Sequence, residues 1–219
     1  MLYDFHTHTF LSDGALSPLE LLRRAHQAGY QAIALTDHVG VGHLERLIHE
    51  ITRDCALAQE RWGITAIPGV ELTHVPASAI SEVARTAKEL GARLVAVHGE
   101  TIVEPVEKGT NHAAAQSSWV DLLAHPGLLS LEDAQLAAAN GIFIEITARR
   151  GHALCNGHVA HLARIAGAKL ILDSDAHDEG DLLTSDFAHD IARGSGLESD
   201  DTTTLLEVNP RLLLKRLYG

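Results

Sequence analysis

The sequence has few aromatic residues, two Trp, three Tyr and four Phe among 219 residues, and only two cysteines. Cys55 and Cys155 lie far apart with no Cys-x-x-Cys spacing, which excludes a disulfide scaffold and a thiolate zinc site. No apolar run approaches the ~18 residues of a membrane span. The opening MLYDFHTHT has neither the basic start nor the apolar stretch of a secretory leader, so a cytoplasmic location is expected. Positive charge is scarce: 17 Lys and Arg face 29 Asp and Glu, for a net charge of −12. That balance is the reverse of a broad nucleic-acid footprint. Disorder is excluded as well, because 46% apolar residues supply ample material to offset chain entropy. Against these scarcities stands one excess, 15 histidines.

Short apolar runs alternate with longer segments of helical period. The strand-like runs are Leu2 to Phe5, Ala32 to Leu35, Thr65 to Val70, Arg93 to Val97, Val120 to Ala124, Ile142 to Ile146 and Lys169 to Asp173. The segments between them carry helix start and stop signals. Ser17-Pro18 offers an N-cap followed by proline at the first helical position, and that helix runs toward Gly29. Gly91 and Gly167 end two further helices, and Asn209-Pro210 opens a last one through Tyr218. Continuous apolar strands alternating with amphipathic helices predict a parallel sheet covered by helices. Seven such units without a GxGxxG turn after the first strand favour an α/β barrel over a dinucleotide-binding sheet. No linker composition divides the chain, so a single domain spanning 1–219 is expected.

The histidines gather at one set of positions. The first strand ends in HTH, placing His6 and His8 on one side of an extended segment. Asp13 follows in the next loop, and the second strand ends in Thr36-Asp37-His38. Glu71 closes the third strand, His98 the fourth and His125 the fifth; Glu145 lies on the sixth; Asp175 and His177 follow the seventh. In a βα barrel these carboxyl ends share one rim, where the fold places its active site. One histidine after a strand is most often a hydrogen-bonded loop residue. Seven strand ends repeating the pattern are not seven independent accidents, and unpaired burial of such groups is costly. Nitrogen and oxygen ligands without thiolate point to Zn, Mn or Fe at a catalytic centre.

The motifs HTH…SDG, TDH, PGVE, VHG, AHP and SDAH, in that order over residues 2 to 177, resemble the PHP (polymerase and histidinol phosphatase) superfamily of metal-dependent phosphoesterases. The resemblance implies a distorted (β/α)7, TIM-like barrel with up to three divalent transition metals. By position, His6, His8, Glu71 and Asp175 would hold one ion, and Glu71 would bridge to a second held by His98 and His125. Asp13, His38 and His177 would hold the third. The activity implied is hydrolysis of a small phosphomonoester, with a histidinol-phosphate-like substrate as the leading specific case, by a hydroxide that the ions activate. No membrane and no nucleic-acid partner is expected.

Several residues around this set are candidates for substrate contacts. Arg149 and Arg150 follow the sixth strand and could bind a phosphate. Asn156 reads as the N-cap of a helix whose start would favour an anion, and His152 and His158 are candidate substrate or proton-transfer groups. Glu100 and His112, in the long polar loop after the fourth strand, could reach the alcohol portion. Asp37 and Glu145 read as supports for the ligands. His26, His43, His49, His161 and His189 read as surface residues of helices. The rival readings are a phosphodiesterase or exonuclease of the same superfamily, an amidohydrolase-type barrel, and a non-catalytic scaffold on the same fold.

Overall fold

Seven strand positions run parallel around a nearly closed barrel in the computed structural model, which describes residues 1–219. The strands are β1 (Leu2–Asp4), β2 (Tyr30–Leu35), β3 (His38–Val39), β4 (Thr65–Leu72), β5 (Leu94–His98), β6 (Leu122–Ala124), β7 (Phe143–Thr147) and β8 (Lys169–Asp173). Each of the seven runs expected from sequence is present, with ends moved by no more than two residues. β3 was not expected as a separate strand. β2 pairs with Thr65–Pro68 and β3 with Glu71–Leu72 of the same β4, so the two form one strand position interrupted at Thr36-Asp37.

The helices are α1 (Pro18–Gln27), α2 (Leu44–Trp62), α3 (Ile80–Glu89), α4 (Thr110–Gln116), α5 (Leu131–Asn140), α6 (Asn156–Ala166), α7 (Ser185–Gly194), α8 (Ser199–Thr203) and α9 (Asn209–Tyr218). Their ends follow local chemistry. The Ser17 side chain accepts from Glu20 N, and Pro18 takes the first turn, where a missing N–H costs nothing. Gly167 closes α6 at φ 70°, a left-handed conformation that a side chain would resist. α8 and α9 are joined by a π-helical turn at Thr204–Val208.

Two apolar layers result from the period-two alternation of the strands. Ile33, Leu35, Val95, Val97, Ile144, Ile146, Leu170 and Leu172 face outward and pack beneath the helices. Ala32, Ala34, Ile67, Leu94, Ala96, Leu122, Phe143 and Ile171 face inward with Tyr3 and Phe5. Leu213 and Leu217 of α9 join this inner layer, so the last helix stoppers the end of the barrel where the strands begin. Followed toward the other end, the inward positions turn polar. Leu94 and Ala96 lead to His98, Phe143 leads to Glu145, and Ile171 leads to Asp173. Closure between β1 and β8 is incomplete, resting on an isolated bridge from Thr7 to Ala176 and on Phe5 N donating to Asp173 Oδ1 at 2.6 Å.

Candidate metal centre

The nine residues expected at the carboxyl rim converge there. His6, His8, Glu71, His98, His125 and Asp175 are buried, His38 and His177 are half-buried, and Asp13 reaches in from the first loop. Gly14 permits that reach, since a Cβ on it would lie 2.5 Å from the carbonyl oxygen of His8. His125 and Asp175 hold positive φ, at 23° and 53°, an uncommon backbone state for such residues that tends to mark functional sites.

Four ligand atoms face one another at the centre. His6 Nε2 lies 3.0 Å from His8 Nε2 and 3.3 Å from Glu71 Oε1, and His8 Nε2 lies 3.1 Å from Asp175 Oδ1. Glu71 Oε1 is also 3.5 Å from His125 Nε2, and its other oxygen is 2.5 Å from His38 Nδ1. A second group joins Asp13 with His177 and His38, whose Nε2 atoms stand 3.3 and 3.6 Å from Asp13 Oδ1; the atoms of His8 fall within the same cluster. His98 packs edge-on against His125, with ring centroids 4.5 Å apart.

Further residues fix these ligands in place. Glu145 Oε1 lies 2.8 Å from His6 Nδ1 while Oε2 accepts from His125 N at 2.6 Å, which leaves His6 Nε2 aimed at the centre. Asp37 accepts from Thr9 N and from the Ser12 hydroxyl, each at 2.7 Å, and so holds the loop that carries Asp13. His177 Nδ1 turns to the Asp175 carbonyl at 2.9 Å, leaving Nε2 for the site. Both supports expected from sequence, Asp37 and Glu145, stand behind ligand candidates.

The electrostatics of the bare side chains are strained. Burial favours the neutral form of Glu71, yet His6, His38 and His98 outweigh it and hold the carboxyl well below its usual range. Burial lowers His38, but Glu71 and Asp13 carry it up to about 10. His8 is lowered by burial and by its cationic neighbours, even though Asp175 pulls the other way. Glu71 Oε1, Asp175 Oδ1 and the Nδ1 atoms of His8 and His125 are buried without any hydrogen-bond partner. Buried polar atoms are rarely left so. Divalent cations fit this donor set, since they would accept the unpaired carboxylate oxygens and separate imidazole nitrogens that otherwise meet head-on.

The centre opens into a basin of about 400 Å³ with no apolar side chain in its wall. Arg149 lines it, its guanidinium held by Asp181 at 2.9 Å. His152 lines it too, stacked on His125 at 4.3 Å between centroids, with Thr101 on its Nδ1. Three lining residues were not singled out from sequence: Thr73, whose hydroxyl lies 2.7 Å from His38 Nδ1, Glu104 and His74. Glu104 lies 3.1 Å from His98 Nε2 and 3.4 Å from His152 Nε2, and His74, at φ 53°, brings its ring to 5.6 Å from His98. Both sit in loops without any local motif; the one available signal for His74 was its place three residues after Glu71.

Other expectations need correction. Arg150 is exposed and has no part in the basin wall, because the chain turns outward after Arg149. Asn156 is not an N-cap: it is the first residue of α6, and its buried amide exchanges hydrogen bonds with the backbone of Thr147. Glu100 accepts from Gly109 N and Asn111 N and thereby steadies the start of α4. His112 pairs with Asp133 between α4 and α5, and His158 with the Leu129 carbonyl. His26, His43, His49, His161 and His189 are exposed, as expected.

Comparison with known proteins agrees with this architecture. The PHP domain family model matches residues 4–101. The uncharacterized protein MJ1295 of Methanocaldococcus jannaschii is 46% identical over 218 residues, covering 99% of this chain and 100% of that protein. A probable phosphatase of Thermoanaerobacter, Teth514_1060, is 27% identical across 91% of this chain and 89% of its own length. Among solved structures, a chain of archaeal ribonuclease P with mature tRNA superposes with a TM-score of 0.69 at 15% identity, covering 98% and 91% of the two chains. A chain from the crystal structures of YwqE of Bacillus subtilis and CpsB of Streptococcus pneumoniae, described as metal-dependent tyrosine phosphatases, shares the fold at a TM-score of 0.57 and 17% identity, covering 98% and 94% of the two chains. With its ordered motifs, its barrel and these likenesses, the chain belongs to the PHP domain family of metal-dependent phosphoesterases.

Proposed function

We propose that this protein hydrolyses small phosphomonoesters at a centre of up to three divalent transition metals, Zn, Mn or Fe. The observation that carries the reading is the buried cluster of His6 Nε2, His8 Nε2, Glu71 Oε1 and Asp175 Oδ1, both carboxylate oxygens without a hydrogen-bond partner, beside a basin that is polar throughout and bears an arginine. His6, His8, Glu71 and Asp175 would hold one ion, Glu71 with His98 and His125 a second, and Asp13, His38 and His177 a third. Bound there, such ions supply Lewis acidity toward phosphoryl oxygens and lower the pKa of water so that it can attack phosphorus.

The chain's own residues do the remaining work. Arg149 neutralises a phosphate oxygen, and its tie to Asp181 keeps the guanidinium at the basin wall. Glu145 fixes the tautomer of His6, and Asp37 fixes the position of Asp13. The names borne by Teth514_1060 and by the tyrosine phosphatases support the monoester reading. Protein purified without chelator is expected to carry more than one equivalent of transition metal and to turn over phosphomonoesters, and chelation should abolish that turnover. Full activity in metal-free protein would overturn the reading.

A further inference from the structure

We propose that Glu104 is a tenth protein ligand of the metal centre, joining His98 and His125 at the second ion; this rests on the metal centre of the reading above. Glu104 lines the basin, with Oε2 3.1 Å from His98 Nε2 and Oε1 3.4 Å from His152 Nε2. Two donor atoms bound to one ion at ~2.1 Å, with an angle of about 90–109° at the metal, stand about 3.0–3.4 Å apart. The His98–Glu104 separation falls in that interval. So do those of His6 with His8, His8 with Asp175 and His6 with Glu71, at 3.0, 3.1 and 3.3 Å. Glu104 is spaced from His98 as the expected ligands are spaced from one another.

The hydrogen bonding of His98 points the same way. Its Nδ1 faces the Gly99 carbonyl at 3.2 Å, a contact that needs the ring proton on Nδ1. In the neutral ring Nε2 then carries a lone pair, and that lone pair meets a carboxylate oxygen. Two acceptors so close repel each other unless a cation lies between them. Glu104 pairs with no Lys or Arg; His98 and His152 are its only ion-pair partners. Its loop is braced at the base. The Glu100 carboxylate accepts from Gly109 N and Asn111 N, which draws the two ends of the loop together. A Cβ on Gly99 would collide with the Ala124 carbonyl, and one on Gly127 with that of Glu100, so the loop starts tight against the end of β6. His152, with Thr101 on its Nδ1 at 2.7 Å, stands against one oxygen of Glu104 and leaves the other toward His98. Glu71 would be shared between two ions, so a carboxylate of its own would hold a dication more firmly at the His98 position.

The test strips the protein with chelator and reloads it with Co²⁺. Stoichiometry, affinity in competition with a chelating dye and the visible spectrum are then measured. Glu104→Ala and Glu104→Gln should each weaken one ion by about tenfold or more, leave the others at wild-type affinity and alter the Co²⁺ absorption. Glu107→Ala controls for the loop: it removes the bond to Ala77 N but no ligand, and should bind Co²⁺ as the wild type does. Wild-type affinity and spectrum in both Glu104 variants would overturn the inference. So would an equal loss in Glu107→Ala, since loop order rather than the carboxylate would then hold the ion. Turnover separates the inference from its premise. If no phosphomonoester is hydrolysed yet one ion depends on Glu104, the ligand assignment stands and the hydrolytic reading falls. If esters are hydrolysed and neither Glu104 variant loses affinity for an ion, the reading stands and the assignment falls. Protein that takes up no transition metal removes both.

Discussion

Glu71 is the residue on which most of the centre depends. Its two oxygens reach His6, His125 and His38, and it is wholly buried. Glu71→Gln keeps the size but replaces the charge with an amide, whose nitrogen can only donate toward imidazoles that need an anion. Activity should fall by at least ~100-fold, on the scale of lost metal-assisted charge stabilisation, and metal content should drop with it. Circular dichroism should stay unchanged, since the two apolar layers do not use this side chain. A variant with full metal and near-normal turnover would remove Glu71 from the bridging role. The two arginines give a second contrast. Arg149→Ala should raise KM for phosphomonoesters by about tenfold with metal content intact, whereas Arg150→Ala should change neither quantity. Most of the nine rim positions were legible in sequence because a residue at or just past the end of an apolar strand has its place set by the strand itself; Asp13, out in the first loop, was placed by its SDG motif. Glu104 and His74 were not, since loop conformation decides where they point. Asn156 and Glu100 were misread for a related reason: a polar side chain near the rim can meet a substrate or the backbone of a neighbouring segment, and only the packed fold tells which.

At the scale of elements, the seam between β1 and β8 is where the barrel is weakest. Asp4 Oδ1 accepts from Ser174 N at 3.1 Å, and Asp173 Oδ1 from Phe5 N, but the second oxygen of each is buried without a partner. Burial pushes the Asp4 carboxyl up to about 7, and burial together with the Asp4 charge pushes Asp173 well above the usual range. Both carboxyls are ordinary acids near pKa ~3.9 once the chain unfolds. The folded state therefore binds more protons than the unfolded state between those values. The stabilisation is complete below about pH 4 and is lost as pH rises through about 7. Asp4→Asn cannot ionise, and its amide can donate to Asp173. In chelator-treated protein, the unfolding free energy of the wild type from urea titration should decline relative to the variant between pH 5 and 8, by a difference on the order of 1–4 kcal/mol. A gap that does not change with pH would show that Asp4 is not the group responsible. The strands, the Ser17 cap and the helix from Asn209 could all be read from local pattern. The stopper role of that helix could not, because its partners, such as Phe5 and Ile171, lie far away in sequence.

For the whole molecule, the net charge of −12 sets which phosphate esters can approach. Three bound dications would neutralise at most half of it, and the field beyond the basin would remain negative. A compact monoester feels this field weakly: its few charges enter the basin directly, and screening takes hold within about 8 Å at physiological salt. An oligonucleotide presents a row of phosphates to the surrounding surface, where binding normally draws on several Lys and Arg contacts and the release of counterions. The rim offers Arg149, already engaged by Asp181, with Lys108 and Arg150 exposed on nearby loops. Oligonucleotides should therefore be hydrolysed at least ~100-fold less efficiently than small monoesters, because the electrostatic share of binding is missing. The sign of the salt effect gives the sharper check. A nuclease held by basic contacts loses affinity steeply as salt rises, whereas repulsion between an acidic surface and a polyanion is relieved by it. Between ~50 and ~200 mM salt, kcat/KM on a short oligonucleotide should hold or rise, while kcat/KM on a monoester should change little. Efficient oligonucleotide cleavage that falls steeply over that range would mean that local basic contacts outweigh the overall charge, and would place the diesterase reading first.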